Sequence, residues 1–508
     1  MRGTGFDTGK YVDAQAKKIR ERVEEFDRKL YIEFGGKLMF DYHAARVLPG
    51  YEPNAKIQIL KKLHRSSEIV FCVSAKDIQN GRIAGTFGIN YRDFTLKTID
   101  DLRALGLDVN NVVVNLFDGE GSALKLKRYL EKHGLTVHLR KVIKDYPFNV
   151  KRIASKKGYG AGKPIETEKP IVIVTGAGPG SGKMSTCLAM VYQDKEMGLD
   201  SGYAKFETFP IWNLPLSHPV NIAYEAATAD IKDYNLIDPF HLKAYGVRAV
   251  NYNRDVENFE IIQKILQRVI SEDNYMNSYK SPTDMGVNMA KEGIVSDAVC
   301  RKAAKEEVVR RHFRYSVEAI RGQEKKETVE LVGRLMKKLG ITPTYRKPVL
   351  PARKAMEAAA KEGKGSEGTF CGAAIQLPGD GMVTGKNSPL LHAESAAVLN
   401  AVKKLGGIDD EKHVISKKVL EEIKKLKTRV LKDKSANLNV DETLVALSMS
   451  AATSPLARRA LEQLPRLRGA EMHSTHMMYR GNSGPLAKLG MNVTSDGLRP
   501  ASSLYIKE

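Results

Sequence analysis

Cysteine is scarce in this chain of 508 residues: four in all, Cys72, Cys187, Cys300 and Cys371, with no CxxC pair among them. Such sparse, scattered thiols exclude a disulfide framework and a zinc ribbon, and fit reduced cysteines of a cytoplasmic protein. Long apolar runs are missing too. Nothing approaches the ~20 consecutive apolar residues that cross a bilayer, so no membrane association is expected. The opening stretch MRGTGFDTGKYVDAQAKKIRER turns amphipathic early and lacks the apolar core of a secretory leader. Acids are short relative to bases, 60 against 81, which leaves a net charge of +21. The bases, however, sit largely on segments that also carry acids, such as KKVLEEIKKLKTRVLKDK at 417–434. That is the pattern of a solvated helix face. No nucleic-acid motif accompanies it, so the positive field suits an anionic small-molecule substrate and no specific nucleic acid.

With 42% hydrophobic and 28% charged residues the composition is that of a globular chain of several domains. Apolar residues at Tyr11, Val12, Ala16, Ile19, Val23 and Phe26 mark one face of a helix. Short β-branched runs at 30–34, 69–73 and 112–116 read as strands covered on both faces. A helical stretch at 122–134 and a strand at 135–141 follow, an alternation that argues for an α/β layer. The stretch SKKGYGAGKPIETEKP at 155–170 has the composition of a linker. From about 256 to 339 the pattern is helical. Beyond that, GAAIQL and MVTG flank a Pro378–Gly381 turn as a strand pair, and helices at 388–408 and 413–431 precede a closing strand, EMHSTHMM. The expected division is an amino-terminal α/β domain (1–165), a P-loop-like α/β segment (166–255), a helical subdomain (256–339) and a carboxyl-terminal α/β domain (340–508). A homo-oligomer is compatible with this organisation.

The strongest local signal is IVIVTGAGPGSGKMSTCLAMVYQDKEMG. An apolar strand at 171–175 enters a glycine-rich turn and leaves as a helix beginning near Lys183. Residues 177–183 have P-loop spacing. In such a turn successive backbone N–H groups converge on phosphate oxygens, and the helix amino terminus adds partial positive charge. Gly178, Gly180, Ser181 and Gly182 would cradle phosphates, and Lys183 would reach their outer oxygens. Ala177 stands where glycine is usual, and Met184 stands where a hydroxyl would bind Mg²⁺; Ser185 or Thr186 is the nearest substitute. A dinucleotide fingerprint fails on spacing, since its third glycine would fall on Ser181 or Lys183. A second strand ending in Lys205 and Glu207 would deliver both to the same edge of a parallel sheet. Asp238, in NLIDP, is the best candidate for a Mg²⁺-binding carboxylate. Glu33, Lys37, Asp41, His43 and Arg46 form a further polar cluster around Gly35-Gly36.

Two resemblances extend this reading. The stretch GLDSGYAKFETFPIW after the turn resembles the P-loop synthetases typified by dethiobiotin synthetase, over ~40 residues. Across essentially the whole chain, blocks such as LYIEFGGKLMFDYHAARVLPGYEPNAKI, GPGSGKMSTCLAMVY, GYAKFETFPIWNLPLSHPVNIAYEAATAD and YKSPTDMGVNM resemble the bacterial uncharacterised protein family 0371, domain of unknown function 1846. That resemblance implies α/β parts, a helical subdomain and a carboxyl part similar to the cytidine-deaminase topology, with no established activity. His392-Ala393-Glu394 matches the deaminase HxE element, but the region of the partner cysteines, HVISKKVL, carries only His413 and Ser416. No usual zinc site is therefore expected. His473 and His476, three apart on a strand, point to opposite faces.

The leading expectation is an NTP-dependent enzyme of phosphoryl transfer or ligation, using ATP or GTP with Mg²⁺. Its catalytic candidates are Lys183, Lys205 and Glu207, and its cofactor-binding candidates Gly178, Gly180, Ser181, Gly182, Lys183 and Ser185. Two alternatives stand beside it: a non-catalytic, regulatory binder of a phospho-ligand, favoured by Met184, and a metal-free deaminase-like enzyme of small molecules.

Overall fold

A computed structural model describes residues 3–26, 29–84, 89–366, 368–433 and 435–499. The chain divides into two compact units, residues 2–228 with 232–304, and 305–508 with 229–231. The division falls inside the helix Asp297–Ile320.

The first unit is built on a six-stranded sheet. It opens with α1 (Thr8–Glu24), whose first turn is capped by Asp7 accepting from the Lys10 N–H, and whose buried face carries Tyr11, Val12, Ala16 and Ile19. The strands are β1 (Lys29–Phe34), β2 (Ser67–Ser74), β3 (Val109–Phe117), β4 (Thr136–Lys141), β5 (Ile171–Gly176) and β6 (Ser201–Phe206). Their spatial order is β4-β3-β2-β5-β1-β6, and every neighbouring pair is parallel. All residues of β2 and β6 are buried, as in a parallel sheet covered on both faces. Each fully buried Ile, Val or Leu adds roughly 1.5–3 kcal/mol to that core. Segments 1–165 and 166–255 thus interleave, because β5 inserts between β2 and β1. A chain of parallel strands brings all its carboxyl ends to one edge, where ligands of such sheets bind. Here that edge collects Glu33, Ser74, Asn115, the 176–182 turn, Lys205 and Glu207.

The helical stretch after 256 is interrupted. α3 (Asn253–Val269) follows α2 (Lys183–Glu196), and short 3-10 turns at Tyr275–Ser278 and Ala290–Gly293 punctuate an otherwise irregular stretch up to Asp297. Within it, residues 285–287 run beside β6, where the N–H of Lys205 donates to the Met285 carbonyl at 2.8 Å and that of Val287 to the Lys205 carbonyl at 3.0 Å.

The second unit has a four-stranded mixed sheet of β7 (Gly372–Gln376), β8 (Met382–Lys386), β9 (Glu471–His476) and β10 (Asn492–Leu498), in the order β8-β7-β9-β10. Only β9 and β10 run parallel. The helices α4 (Ala393–Leu405) and α5 (Val440–Ala451) bury Ala397, Val398, Ala401 and Leu447 into the same core as Ile375 and Met472. Arg346, 1% exposed, donates to the Glu471 carboxylate at 2.6 Å, and Arg310 reaches the same oxygen at 3.0 Å. All four cysteines are buried and free. Among the described residues no helix is long and apolar enough to cross a membrane.

Candidate functional site

Two groups of polar residues occupy the carboxyl edge of the six-stranded sheet. The first is the turn after β5. Gly182, in the left-handed region at φ 84°, is the residue from which α2 starts, and a Cβ there would lie 2.7 Å from the Asn115 side chain. Only glycine fits both demands. Asn115, from β3, braces the turn: its Nδ2 donates to the Ser181 carbonyl at 2.8 Å and to Thr186 Oγ1 at 3.1 Å. Thr186 donates in turn to the Gly182 carbonyl at 2.9 Å. The Ala177 N–H is spent on the Cys72 carbonyl and that of Ser181 on Gly178. Among the described residues the N–H groups of Gly178, Gly180, Gly182, Lys183, Met184 and Ser185 meet no protein acceptor. The Ser181 hydroxyl, buried and also without a partner, turns toward Gly176, where a Cβ would lie 2.6 Å from it.

The side chains after Lys183 do not supply a ready Mg²⁺ ligand. Met184 has no hydroxyl, Ser185 lies beside the hydroxyls of Tyr146 and Tyr159, and Thr186 is committed to Asn115 and Gly182. Asp238 is elsewhere. It caps the helix Pro239–Tyr245, accepting from the Phe240 and His241 N–H groups at 3.0 Å and from Thr283 Oγ1 at 2.7 Å. The strand before it, Asn235–Ile237, pairs with Val250–Tyr252 outside the main sheet.

The second group is centred on Lys205. Because β1 lies between β5 and β6, the end of β6 is two strand spacings from the turn, about 10 Å, and Lys205 and Glu207 join partners of their own. Lys205 Nζ donates to Asp255 at 2.6 and 2.7 Å and to the Tyr252 hydroxyl at 2.5 Å, and stands 3.8 Å from Glu207 Oε1. The Tyr252 hydroxyl donates to Glu207 Oε2, and the Tyr203 hydroxyl to Glu33 Oε2 at 2.9 Å. Burial alone would lower the Lys205 pKa, but Asp255, then Glu207 and Glu33, carry it above the ordinary lysine range. The ammonium is therefore held charged and is no nucleophile. Burial raises Glu207 and Asp255 above ordinary carboxylates against the pull of Lys205. Two carboxylates thus share one ammonium, with the Glu33 charge felt from farther off.

This group forms one end of a cavity of about 240 Å³. Its walls include Trp212, Tyr275 and Tyr279, and at another side it meets Arg22 of α1. Arg22 donates to the Tyr279 hydroxyl at 2.9 Å and to the Asp284 carbonyl at 3.1 Å. No residue of the 176–186 turn lines it. Sequence reasoning brought out Lys205 and Glu207 but missed Asp255, Tyr252 and Arg22, which reach the site from helices and a small sheet distant in sequence. In the polar loop after β1, Asp41 caps the helix Tyr42–Val47 and lies 3.4 Å from Lys56, while Glu33 accepts from the Tyr203 hydroxyl.

In the second unit His392 and Glu394 do come together. His392 Nδ1 accepts from Asn482 Nδ2 at 3.0 Å and its Nε2–H donates to Asn437 Oδ1 at 3.2 Å, a network that assigns the neutral ring. Burial lowers its pKa accordingly. Glu394 accepts from Ser474 at 2.5 Å and from Asn482 at 3.2 Å. Cys371 is near enough to feel the Glu394 charge, but burial pushes its thiol up to about 12. Both ring nitrogens of His392 are engaged, and among the described residues no group of three or more His, Cys, Asp or Glu side chains is placed to hold a metal ion. His473 faces Thr494, at 2.9 Å, whereas His476 meets Thr475, also at 2.9 Å, and senses the Glu394 charge.

Two family profiles match the chain: "Domain of unknown function DUF1846, N-terminal" over residues 4–340 and its "C-terminal" counterpart over 344–505. Among curated proteins, a UPF0371 protein of Clostridium botulinum (strain Alaska E43 / Type E3) is 45% identical over 502 residues, covering 99% of both chains. UPF0371 proteins of Clostridium tetani and Fusobacterium nucleatum are 46% identical over 501 and 507 residues, again across 99% of each chain. The chain belongs to this family of unknown function.

Proposed function

We propose that the first unit binds a phosphorylated small molecule at the 176–186 turn, a nucleoside triphosphate such as ATP or GTP in the first instance. The observation that carries this reading is the N–H groups of Gly178, Gly180 and Gly182–Ser185, which meet no protein acceptor among the described residues and lie in a glycine-rich turn at the amino terminus of α2. A phosphate group would supply acceptors to such a turn. Gly178, Gly180, Ser181 and Gly182 would hold the phosphates, and Lys183 would offset their outer charge. The net positive charge of the chain would assist capture of such an anion.

The second reading, a binder or regulatory protein without metal-assisted transfer, is favoured by Met184, which has no hydroxyl for Mg²⁺, and by Thr186, whose hydroxyl is committed to Asn115 and Gly182. Under the transfer reading, Lys205 and Glu207 would act from the neighbouring cavity, as charge stabiliser and acid or base toward a second substrate.

Calorimetric titration of the full chain with ATP, GTP and inorganic pyrophosphate, each with and without Mg²⁺, tests the proposal. Binding that weakens about ten-fold or more in Lys183→Ala supports it. Absence of binding by all three overturns it. Affinity unchanged by Mg²⁺ selects the second reading.

A further inference from the structure

The cavity at the end of β6 has two poles. At one, Glu207 and Asp255 face a single ammonium, that of Lys205. Asp255 takes Lys205 through both carboxylate oxygens, so Glu207, with only a tyrosine hydroxyl and a lysine at 3.8 Å, is the acid left over. At the other pole is Arg22, 8% exposed. Its partners are the Tyr279 hydroxyl and the carbonyls of Asp284 and Gly286. Its guanidinium lies over the rings of Tyr275 and Tyr279, 5.6 and 5.5 Å from their centroids. Among the described residues no carboxylate forms an ion pair with it. A buried guanidinium held only by neutral groups is costly unless something negative joins it, and a surplus buried carboxylate is costly unless something positive does. Here both deficits line one cavity, together with Trp212, Tyr275 and Tyr279.

We propose that this cavity is the binding site of a small zwitterion, an α-amino acid or a close analogue, whose ammonium pairs with Glu207 and whose carboxylate pairs with Arg22. The side chain would lie along Trp212 and the tyrosines. Glu207 supplies charge, Tyr252 fixes the carboxylate's orientation, and Lys205 keeps Asp255 from competing for the ligand. Lys18, also lining the cavity, adds positive charge on the carboxylate side. The volume of about 240 Å³ admits a molecule of amino-acid size and lies below the usual range of sites for drug-sized ligands. Burial of Glu207, which raises its pKa, means an arriving ammonium would also stabilise its ionised form. The site stands apart from the 176–186 turn and does not depend on phosphate binding there.

Trp212, the single tryptophan of the chain, lines the cavity and reports on it. The full chain is titrated with the L-amino acids as a panel and, as matched probes, with L-phenylalanine, 3-phenylpropionate (no ammonium) and 2-phenylethylamine (no carboxylate). Saturable binding of at least one amino acid, with either half-ligand of phenylalanine about ten-fold or more weaker than the zwitterion, is the expected result. Glu207→Gln, which keeps the shape and removes the charge, should bring L-phenylalanine down to the level of 3-phenylpropionate, with pyrophosphate binding at the separate turn unchanged. Half-ligands that bind as tightly as the zwitterion overturn the proposal. So does the failure of every amino acid to bind at millimolar concentration. Neither result bears on the turn, whose pyrophosphate titration is read in the same preparation.

Discussion

Glu207 rests its carboxylate on Gly35: a Cβ built on the glycine would come 2.1 Å from Glu207 Oε1 and 2.4 Å from its Cγ. The residue after β1 is a glycine, and the residue after β6, Glu207, fills the space that a side chain there would need. Gly35→Ala should displace Glu207 from the Tyr252 hydroxyl and cost about 1–3 kcal/mol by overpacking. Urea denaturation of the first unit, followed by Trp212 fluorescence, reads the cost. Unaltered stability together with an unaltered cavity would refute the relationship.

Asn115 is the brace of the turn after β5. Asn115→Ala removes the donor to the Ser181 carbonyl and to Thr186, and leaves that buried carbonyl unsatisfied. The expected loss is about 1–3 kcal/mol in Trp212-monitored unfolding, with weaker pyrophosphate binding. Asn115→Asp, which puts an acceptor against a carbonyl, should be worse. If both variants bind pyrophosphate like the parent, the turn does not rely on its brace.

Asp496 on β10 pairs with Arg353 through both oxygens, at 2.7 and 3.0 Å, and lies 3.4 Å from His473. Burial works against its charge, but the bonds to His473 and Arg353 win and hold the pKa down at about 2. The folded value is below the unfolded one, so the ionised pair stabilises above the ordinary aspartate pKa. That stability is lost as pH falls from about 4 through about 2. Asp496→Asn should cost roughly 1–2 kcal/mol near neutrality and abolish this acid limb. Hydrogen exchange of Asn492–Leu498, corrected for intrinsic rates, measures both. A variant that keeps the acid limb would assign it to another group.

Elemental analysis of the purified protein should find no stoichiometric zinc, because both nitrogens of His392 are held by Asn482 and Asn437 and no group of three or more candidate ligands gathers around it among the described residues. Roughly one zinc per chain, lost on His392→Ala, would contradict the hydrogen-bond assignment at this histidine.

Much of the first unit was legible locally. Runs such as IVFCV at 69–73 and IVIVT at 171–175 are apolar throughout because both faces of the sheet are covered, and the glycines of the turn announce themselves by spacing. The place of β5 was not legible, since no local pattern says that a strand will enter between two made much earlier. For the same reason Lys205 and Glu207 could be read as a strand end but not as the partners of Asp255 and Tyr252. Those arise from the start of α3 and the small sheet before it, and only topology joins them. Asp238 illustrates the reverse: a carboxylate after a short strand, read as a possible metal ligand, proves to be a helix cap once Thr283 is seen beside it.

The late insertion of β5 also bears on how the molecule assembles. Ile171 pairs with both Leu30 and Ser67, so the middle of the sheet is closed by a segment made about a hundred or more residues after its neighbours. Until it arrives, β1 and β2 expose complementary edges that have no native strand between them. Such non-local pairing makes for slow folding and gives chaperones a substrate. The same event that seals the sheet brings the glycine-rich turn into being, so the backbone arrangement of the turn exists only once β5 is seated between β1 and β2.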